Sequence, residues 1–327
     1  MFLFDQKIRR WLGMDSPVLV LGWVNHEVRY MVCQGTRILV QGALSAPEAF
    51  DAGHLKTPAA LARALIPLLP KSKGRVALLL PTEILQLHEL NLPNGLDDEE
   101  LSYQITRYMT HALALNPATV FYDWSIQVQD ADKRVMTVLL AIAQQMDVVP
   151  FHDVFIDTDW QFSWASPEPQ VWALAYGDLA LEQHPIAVCQ IETGHVSLWL
   201  IHVDGHVQSF FNTLDEDTFR QAGFVYQSAT DTQSSASVRL PTRFVADLLE
   251  QKLSEWLGQS TLSSLNRMYV TGKGVNWHEL NPLLQSRLGL PLRVAEDDLA
   301  VNRLNQQLVR PDNGMAALWY LSQQVGA

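Results

Sequence analysis

Three histidines close together in the sequence are the first residues to consider as chemical groups. His195, His202 and His206 are predicted on one sheet, and the last two flank the turn Asp204-Gly205. Imidazole nitrogens are the commonest metal ligands in proteins, but a closed site needs a full set of ligands. No cysteine or second carboxylate cluster completes the set, so the sequence predicts no metal site.

A run of four acidic residues, 97–100, is the second candidate for chemistry. Paired carboxylates carry out general acid–base catalysis in many enzymes. These four occupy the first turn of a predicted amphipathic helix, where free backbone N–H groups and the helix dipole favour negative charge. We therefore interpret them as a helix start, and the sequence offers no catalytic residue.

Motifs and charge exclude several further classes of site. The sequence lacks the patterns G-x-x-x-x-G-K-[ST], G-x-G-x-x-G, G-x-S-x-G and H-E-x-x-H, so several common enzyme classes lose their simplest support. The balance of 23 Lys and Arg against 35 Asp and Glu leaves a net charge of −12, which opposes binding to nucleic-acid phosphates. No apolar run reaches the roughly 18–20 residues that cross a bilayer. We expect no nucleic-acid partner and only indirect membrane contact.

Size and cysteine usage indicate a cytoplasmic protein with a large core. The 327 residues allow two domains or one fold of two halves. Only 18% of them are charged, against about 25% in typical soluble proteins. Cys33 and Cys189 lie in apolar, strand-like runs, which is typical of buried thiols in a reducing compartment.

The order of the predicted strands repeats once along the chain, without repeating the sequence itself. Two sets of three predicted strands correspond: 18–24, 26–33 and 36–42, then 186–191, 195–203 and 206–212. A shift of 170 residues places Gly35 on Gly205, each in a two-residue hairpin turn, and Val20 on Gln190. Helix and strand patterns follow each set, so the sequence predicts an α/β protein of two similar halves with a cleft between them.

Several stretches lie outside this repeat. A strand–helix–strand–strand pattern is predicted for 83–92, 97–115, 119–129 and 133–143. Residues 1–16 predict an amphipathic N-terminal extension, and the Ser- and Thr-rich stretch 226–238 predicts a mobile loop. Trp160, Trp164 and Trp172 are predicted to form an aromatic cluster near the join of the halves, which we interpret as core.

Two regions carry a family resemblance. Leu90-Asn-Leu-Pro-Asn-Gly-Leu-Asp-Asp-Glu-Glu-Leu101 leads into the inserted helix, and Thr119-Val-Phe-Tyr-Asp-Trp124 follows it. Near the C terminus stand Tyr269-Val-Thr-Gly-Lys-Gly274, then 283–294 and 313–318. The chain resembles the PilM family of type IV pilus assembly proteins, which are actin-like and related in fold to FtsA. The resemblance implies a two-lobed actin-like α/β fold with these parts: extension 1–16, first half 17–80 plus 151–184, inserted β-α-β-β subdomain 81–150, and second half 185–327.

The resemblance also identifies the positions at which an actin-like protein would bind a nucleotide. At these positions the sequence differs from the motif of actin-like ATPases. Actin-like ATPases begin each half with an Asp-x-Gly hairpin, but Val20 and Gln190 stand at the acid positions and Glu192 replaces a glycine. A γ-phosphate beside Glu192 would meet like charge without an aspartate-held cation. The corresponding nucleotide positions are Gly22, Asn25, Gly194, Gly272 and Gly274. We expect a non-hydrolysing member of the fold; ATP binding stays open, and the alternative is an ATPase that uses Asp15 or Asp204.

The resemblance implies a cytoplasmic scaffold of pilus biogenesis that docks the short cytoplasmic N-terminal tail of a PilN-type inner-membrane protein. In the family that tail lies in a groove between the first half and the insert, where an extended peptide gains main-chain hydrogen bonds and side-chain pockets. The residues expected at this junction are Leu87, Leu90, Leu92, Tyr103 and Arg107. Other inner-membrane and motor components of the pilus are further candidate partners. The alternative is the cytosolic part of a type II secretion protein of the GspL type.

The same partner is expected to hold the chain at the inner membrane. The basic stretch Asp5–Leu12 has three cations and one acid, a net charge of +2. Each cation contributes about 1 kcal/mol of attraction near an anionic leaflet. This attraction is small against the acidic remainder of the chain, so we expect the membrane association to be peripheral and to depend on the partner.

The purified chain should release no significant phosphate from ATP, because neither predicted acid position carries an aspartate. The measurement is a phosphate-release assay on the unmodified chain, beside Val20→Asp and Gln190→Asp as attempted restorations. Robust hydrolysis by the unmodified chain would contradict the prediction.

Overall fold

The computed structural model describes residues 16–24, 26–51, 53–130, 134–180, 184–191, 195–202, 207–213, 242–265, 267–272, 277–290, 292–295, 297 and 315–326. The chain divides into two compact units. Unit 1 is Met1–Val171 with Leu318–Ala327, and unit 2 is Trp172–Ala317. The predicted halves met at 184/185 and left the C terminus in the second half. The observed boundary comes earlier, and the last helix ends in unit 1.

The elements of unit 1 are, in chain order, β1 (Val18–Val24), β2 (Glu27–Gln34), β3 (Arg37–Ser45), β4 (Phe50–Asp51), β5 (His54–Leu55), α1 (Pro58–Leu65), β6 (Gly74–Leu80), β7 (Leu85–Pro93), α2 (Asp98–His111), β8 (Val120–Asp130), β9 (Val135–Gln144), α3 (Gln145–Asp153) and β10 (Trp160–Pro167). Short 3-10 turns cover Ile66–Leu68, Thr82–Ile84 and Pro117–Thr119. Helix α4 (Glu168–Ala180) continues into unit 2.

The elements of unit 2 are β11 (Ile186–Ile191), β12 (His195–Ile201), β13 (Val207–Thr213), α5 (Thr242–Ser264), β14 (Arg267–Thr271), α6 (Trp277–Leu288) and β15 (Leu292–Val294). Helix α7 (Ala316–Gly326) begins at the end of unit 2 and continues into unit 1.

The two units contain sheets of the same topology. The strand order is β3-β2-β1-β6-β10 in unit 1 and β13-β12-β11-β14-β15 in unit 2. In each sheet the first three strands are antiparallel and the last two run parallel to the central strand. The predicted repeat of layout is therefore confirmed. Gly35, in the turn between β2 and β3, has a φ of 56°, as the tight hairpin requires.

The central strand β1 of unit 1 is buried on both faces. One face presents Leu19, Leu21 and Trp23 to a core completed by α1 and α3, and the Trp23 ring lies 4.3 Å from that of Phe151. The other face lies under α7: Leu318 sits beside Gly22. These contacts explain why the last helix ends in unit 1.

Helix α3 and strand β10 were not predicted as elements. α3 contains Pro150, which weakens a helical pattern, and its inner side contributes Val148 and Phe151 to the core. The buried Asp147 also lies on α3, and its Oδ1 is 2.6 Å from His54 Nδ1 of β5. This pair ties α3 to the β4–β5 hairpin.

The three tryptophans of the predicted aromatic cluster have three different environments. Trp160 is part of the unit 1 core, while Trp164 is 53% exposed. Trp172 is buried in unit 2, where its ring lies 5.8 Å from Trp199 and 6.0 Å from Tyr176. The interpretation as core is correct for Trp160 and Trp172 and wrong for Trp164.

The insert forms a three-stranded antiparallel sheet, β7-β9-β8, covered on one face by α2. Its core is separate from that of the five-stranded sheet, and its buried members are Leu90, Leu101, Ile105, Met109, Val120, Met136, Val138, Leu140 and Ile142. The acidic run 97–100 starts α2 with a capping box. Asp97 accepts the Glu100 N–H at 2.8 Å, and Glu100 accepts the Asp97 N–H at 3.2 Å. Their role as a helix start is confirmed.

Several predictions fall outside the described residues. These are the extension 1–16 apart from Ser16, the loop 226–238, His206, and the side chain of His195. Within the described part of the chain, no three metal-ligating side chains come together. No helix there combines the length and the apolarity needed to cross a bilayer.

Replacing Asp97 by Ala should lower the free energy of unfolding by about 1 kcal/mol, because the Glu100 N–H loses its capping acceptor. Glu99→Gln in the same turn leaves the cap intact and should change it by less than about 0.5 kcal/mol. Denaturant unfolding monitored by circular dichroism measures the free energy of unfolding of both variants. Equal losses in the two variants would show that the cap is not the stabilising feature.

Candidate functional site

The first predicted nucleotide position lies at the end of β1, in an apolar environment. Val20 is fully buried and pairs with Met31 of β2 and Ala77 of β6. A Cβ placed on Gly22 would lie 3.2 Å from Leu318 Cδ1 and 3.5 Å from Leu79 Cδ2. Leucine side chains therefore fill the space beside Gly22, where a phosphate would need backbone N–H groups.

The equivalent position in unit 2 is polar but uncharged. Gln190 is 6% exposed in β11 and pairs with Ser197 of β12 and Thr271 of β14, which are both buried. These three side chains offer hydrogen bonds without a carboxylate. The strand thus lacks the acid that would hold a cation.

Gly272 follows β14 and has a structural reason to be glycine. Its φ is 116°, and a Cβ there would lie 2.0 Å from the carbonyl oxygen of Ile191. The atoms that a Cβ on Gly272 would contact belong to the backbone of Ile191, so a side-chain movement cannot relieve the clash. The glycine that resembled a nucleotide position is required by the packing of β14 against β11. Of the other positions weighed for a nucleotide or its cation, Asp15, Asn25, Glu192, Gly194, Asp204 and Gly274 lie outside the described residues.

The five residues expected to line a peptide groove do not lie on one surface. Leu90 is 5% exposed in the insert core, and Leu92 packs partly against it. Side chains alternate along a strand, and β7 pairs with β9 without a bulge, so Leu87 points to the opposite face of the sheet. Leu90 is thus corrected to a core residue, because the apolar side of α2 covers it.

The remaining two groove candidates lie on the outside of α2. Tyr103 is 65% exposed and Arg107, four residues later, is exposed as well. The buried side of this helix presents Leu101, Ile105 and Met109 to the sheet. Tyr103 and Arg107 are therefore separated from Leu87 by the helix and the sheet together.

The face of the insert sheet that carries Leu87 has its own set of side chains, which we call the outer face. Cross-strand neighbours share a face, so the register of β7, β9 and β8 places these residues on it: Leu87, Glu89, Phe121, Asp123, Leu139 and Ala141. Phe121 is 46% exposed, and Leu87, Leu139 and Ala141 are half-buried. Sequence reasoning missed Phe121, Leu139 and Ala141. The sequence of β9 contained a signal for this apolar face. Its apolar residues occupy both the odd and the even positions of the strand, so both faces of the sheet are partly apolar there.

The outer face adjoins the core of the five-stranded sheet. Leu85 and Ala143 are its next members along β7 and β9, and both belong to that core. Helix α2 covers the opposite face of the sheet. There the His88 ring lies 5.9 Å from the ring of Tyr108, and burial lowers the pKa of the His88 imidazole. The junction of the insert and the first sheet therefore presents Leu87 and its neighbours.

No protein-family model and no curated protein matches the sequence. Among solved structures, the PilM-PilN type IV pilus biogenesis complex is similar at a TM-score of 0.70 and 17% identity, over 96% of this chain and 99% of that chain. The cytoplasmic domain of EpsL, an inner membrane component of the type II secretion system of Vibrio cholerae, matches with a TM-score of 0.48 and 9% identity, over 94% and 95%. A Bacteroides thetaiotaomicron protein with an actin-like ATPase fold gives 0.45 and 9%, over 86% and 91%. The chain has the actin-like α/β fold of PilM, as the sequence predicted.

Gly272→Ala should lower the free energy of unfolding by about 3 kcal/mol or more, because a positive φ and a backbone clash act together. Gly22→Ala is the matched control: its new Cβ meets the flexible end of Leu318, which costs about 1 kcal/mol. Chemical denaturation measures both. A tolerated Gly272→Ala would contradict the packing reason for this glycine.

Proposed function

We propose that this chain is a scaffold of type IV pilus biogenesis that docks the short cytoplasmic tail of a PilN-type inner-membrane protein. The observation that carries the proposal is the similarity along 96% of the chain to the PilM of a PilM-PilN complex. The similarity leaves only 4% of the chain unmatched. A scaffold of this kind needs a peptide-binding surface and no catalytic residue.

The outer face of the insert sheet is the docking surface that we propose. Leu87 and Ala141 stand opposite each other across β7 and β9. The exposed Phe121 lies on the same face of β8, opposite Ala143. An apolar side chain of an extended peptide gains about 25 cal/mol per Å² of apolar surface that it covers. Tyr103 and Arg107 stay outside this surface, because they lie beyond α2.

The charges of the outer face fit the tail of a membrane protein. Glu89 lies on β7 and Asp123 on β8, on either side of the apolar residues of β9. Cytoplasmic segments next to a membrane span are enriched in Lys and Arg. A tail with a basic residue among apolar ones therefore complements this face.

The absence of ATP turnover is part of the proposal. Val20 is enclosed by apolar neighbours, leucines fill the space beside Gly22, and Gly272 is held by backbone packing. An aspartate introduced at Val20 would bury a charge without a partner, which is strongly unfavourable. We therefore expect Val20→Asp to destabilise unit 1 rather than to restore hydrolysis. Docking of the tail would also place the chain at the inner membrane.

The test is the binding of a synthetic peptide with the sequence of the cytoplasmic tail of a PilN-type protein from the same organism. Isothermal titration calorimetry should give a dissociation constant that Leu87→Asp raises about tenfold or more, since a charge replaces an apolar contact and 1.4 kcal/mol is a factor of ten. Leu139→Asp should act in the same way.

The matched control is Tyr103→Ala, which removes a more exposed side chain from the far side of the insert and should leave the dissociation constant unchanged. Thermal unfolding of each variant shows that the fold is retained. Weakened binding in Tyr103→Ala alone would move the docking surface to α2. No binding by the unmodified chain at high peptide concentration would contradict the proposed function.

A further inference from the structure

Strand β10 forms one edge of the five-stranded sheet of unit 1. It pairs in parallel with β6 through Trp160–Pro167, and no other strand among the described residues pairs with its outer side. Unpaired N–H and C=O groups on a sheet edge are a template for a further strand. Natural proteins therefore protect such edges or use them to bind a partner.

The side chains of β10 give the edge no protection by charge. Its eight residues, Trp160-Gln-Phe-Ser-Trp-Ala-Ser-Pro167, include no charged side chain. The other long edge strands of unit 1 do carry charge, with Arg37 on β3, Glu89 on β7 and Asp123 on β8. Charged residues are a common device against edge-to-edge pairing, and β10 lacks it.

The middle of β10 is also open to solvent. Ser163, Trp164 and Ala165 are exposed, and Trp164, at 53% exposure, is one of the large exposed apolar side chains of the chain. A tryptophan in this position is a frequent anchor of protein interfaces. The exposed run is centred on Trp164.

We propose that β10 pairs antiparallel with β10 of a second copy of this chain, across a two-fold axis at Trp164. Residues of the two strands whose numbers sum to 328 then stand opposite each other. Ser163 faces Ala165, Gln161 faces Pro167, and Trp164 faces its own copy. Every opposed pair from 161 to 167 is uncharged, so no like charges meet across the pairing.

The antiparallel direction of the pairing keeps the two copies of Asp159 apart, which matters because each copy of the chain has a net charge of −12. Asp159 precedes β10 and is exposed. It lies five residues before the axis (164 − 159), so the two copies of Asp159 are ten steps apart, or roughly 34 Å at about 3.4 Å per residue. This distance exceeds the Debye length of about 8 Å at physiological salt. Repulsion between the two copies of Asp159 is therefore largely screened.

Two features limit the strength of the association. A bulge between Phe162 and Trp164 bends the edge, and Pro167 ends the strand. Two paired strands also bury less than the roughly 800 Å² per partner of a standard interface. We expect a reversible dimer whose fraction rises with protein concentration.

Sedimentation equilibrium of the full chain over a wide concentration range should show a monomer–dimer equilibrium. Trp164→Lys places two like charges on the axis and should raise the dimer dissociation constant about tenfold or more. Tyr103→Lys makes the same change at an exposed aromatic residue of α2 and should leave the constant unchanged. A chain that stays monomeric throughout, or equal effects of the two variants, would overturn the proposal.

Cysteine cross-linking tests the register. Trp164→Cys faces its own copy and should form an interchain disulfide under mild oxidation, since paired strands bring Cα atoms within bridging distance. Gln161→Cys is six steps from its copy, roughly 20 Å, and should not. Cys33 and Cys189 do not compete, because burial raises the pKa of their thiols to about 11 and about 12. Equal cross-linking at 161 and 164 would overturn the pairing at Trp164.

Discussion

The burial of β1 on both faces is the constraint on which unit 1 depends. Helices α1 and α3 cover one side of the strand and α7 covers the other, so each of its first six residues is sequestered from water. Closing both faces requires apolar or small side chains throughout, because an unpaired buried charge is costly. Val20 and Gly22 are consequences of this closure. The position that the sequence analysis assigned to a nucleotide-site acid, Val20, lies in the core.

Unit 2 has the same sheet topology as unit 1, but the equivalent position of its central strand is polar. Its central strand β11 has a buried glutamine at the equivalent position, with uncharged polar neighbours on both sides. The carbonyl of Ile191, at the end of β11, lies so close to Gly272 that only a glycine fits at this position. In both units the described strand ends at the predicted nucleotide positions are therefore occupied by packing contacts.

A protein can act through its surfaces as well as through an active site, and one face of the insert sheet is suited to this. Because its sheet has a core of its own under α2, the opposite face needs no covering helix for stability. Ala143 and Leu85 join that face to the core of the first sheet, which holds it in a fixed position at the junction. A half-apolar face with two carboxylates is suited to an extended peptide.

Local patterns determined most of the elements of this protein. Alternating apolar residues specified the strands, a glycine of positive φ specified the β2–β3 hairpin, and the capping box of Asp97 and Glu100 specified the start of α2, because each depends on neighbours within a few residues. The sequence also determined that the predicted acid positions hold Val20 and Gln190. Only the tertiary structure decided that Leu87 and Leu90 point to opposite faces of one sheet, that Trp160 and Trp172 enter different cores, and that the last helix ends in unit 1. These outcomes depend on which elements pack together across long sequence separations, and residue spacing carries no information about that choice.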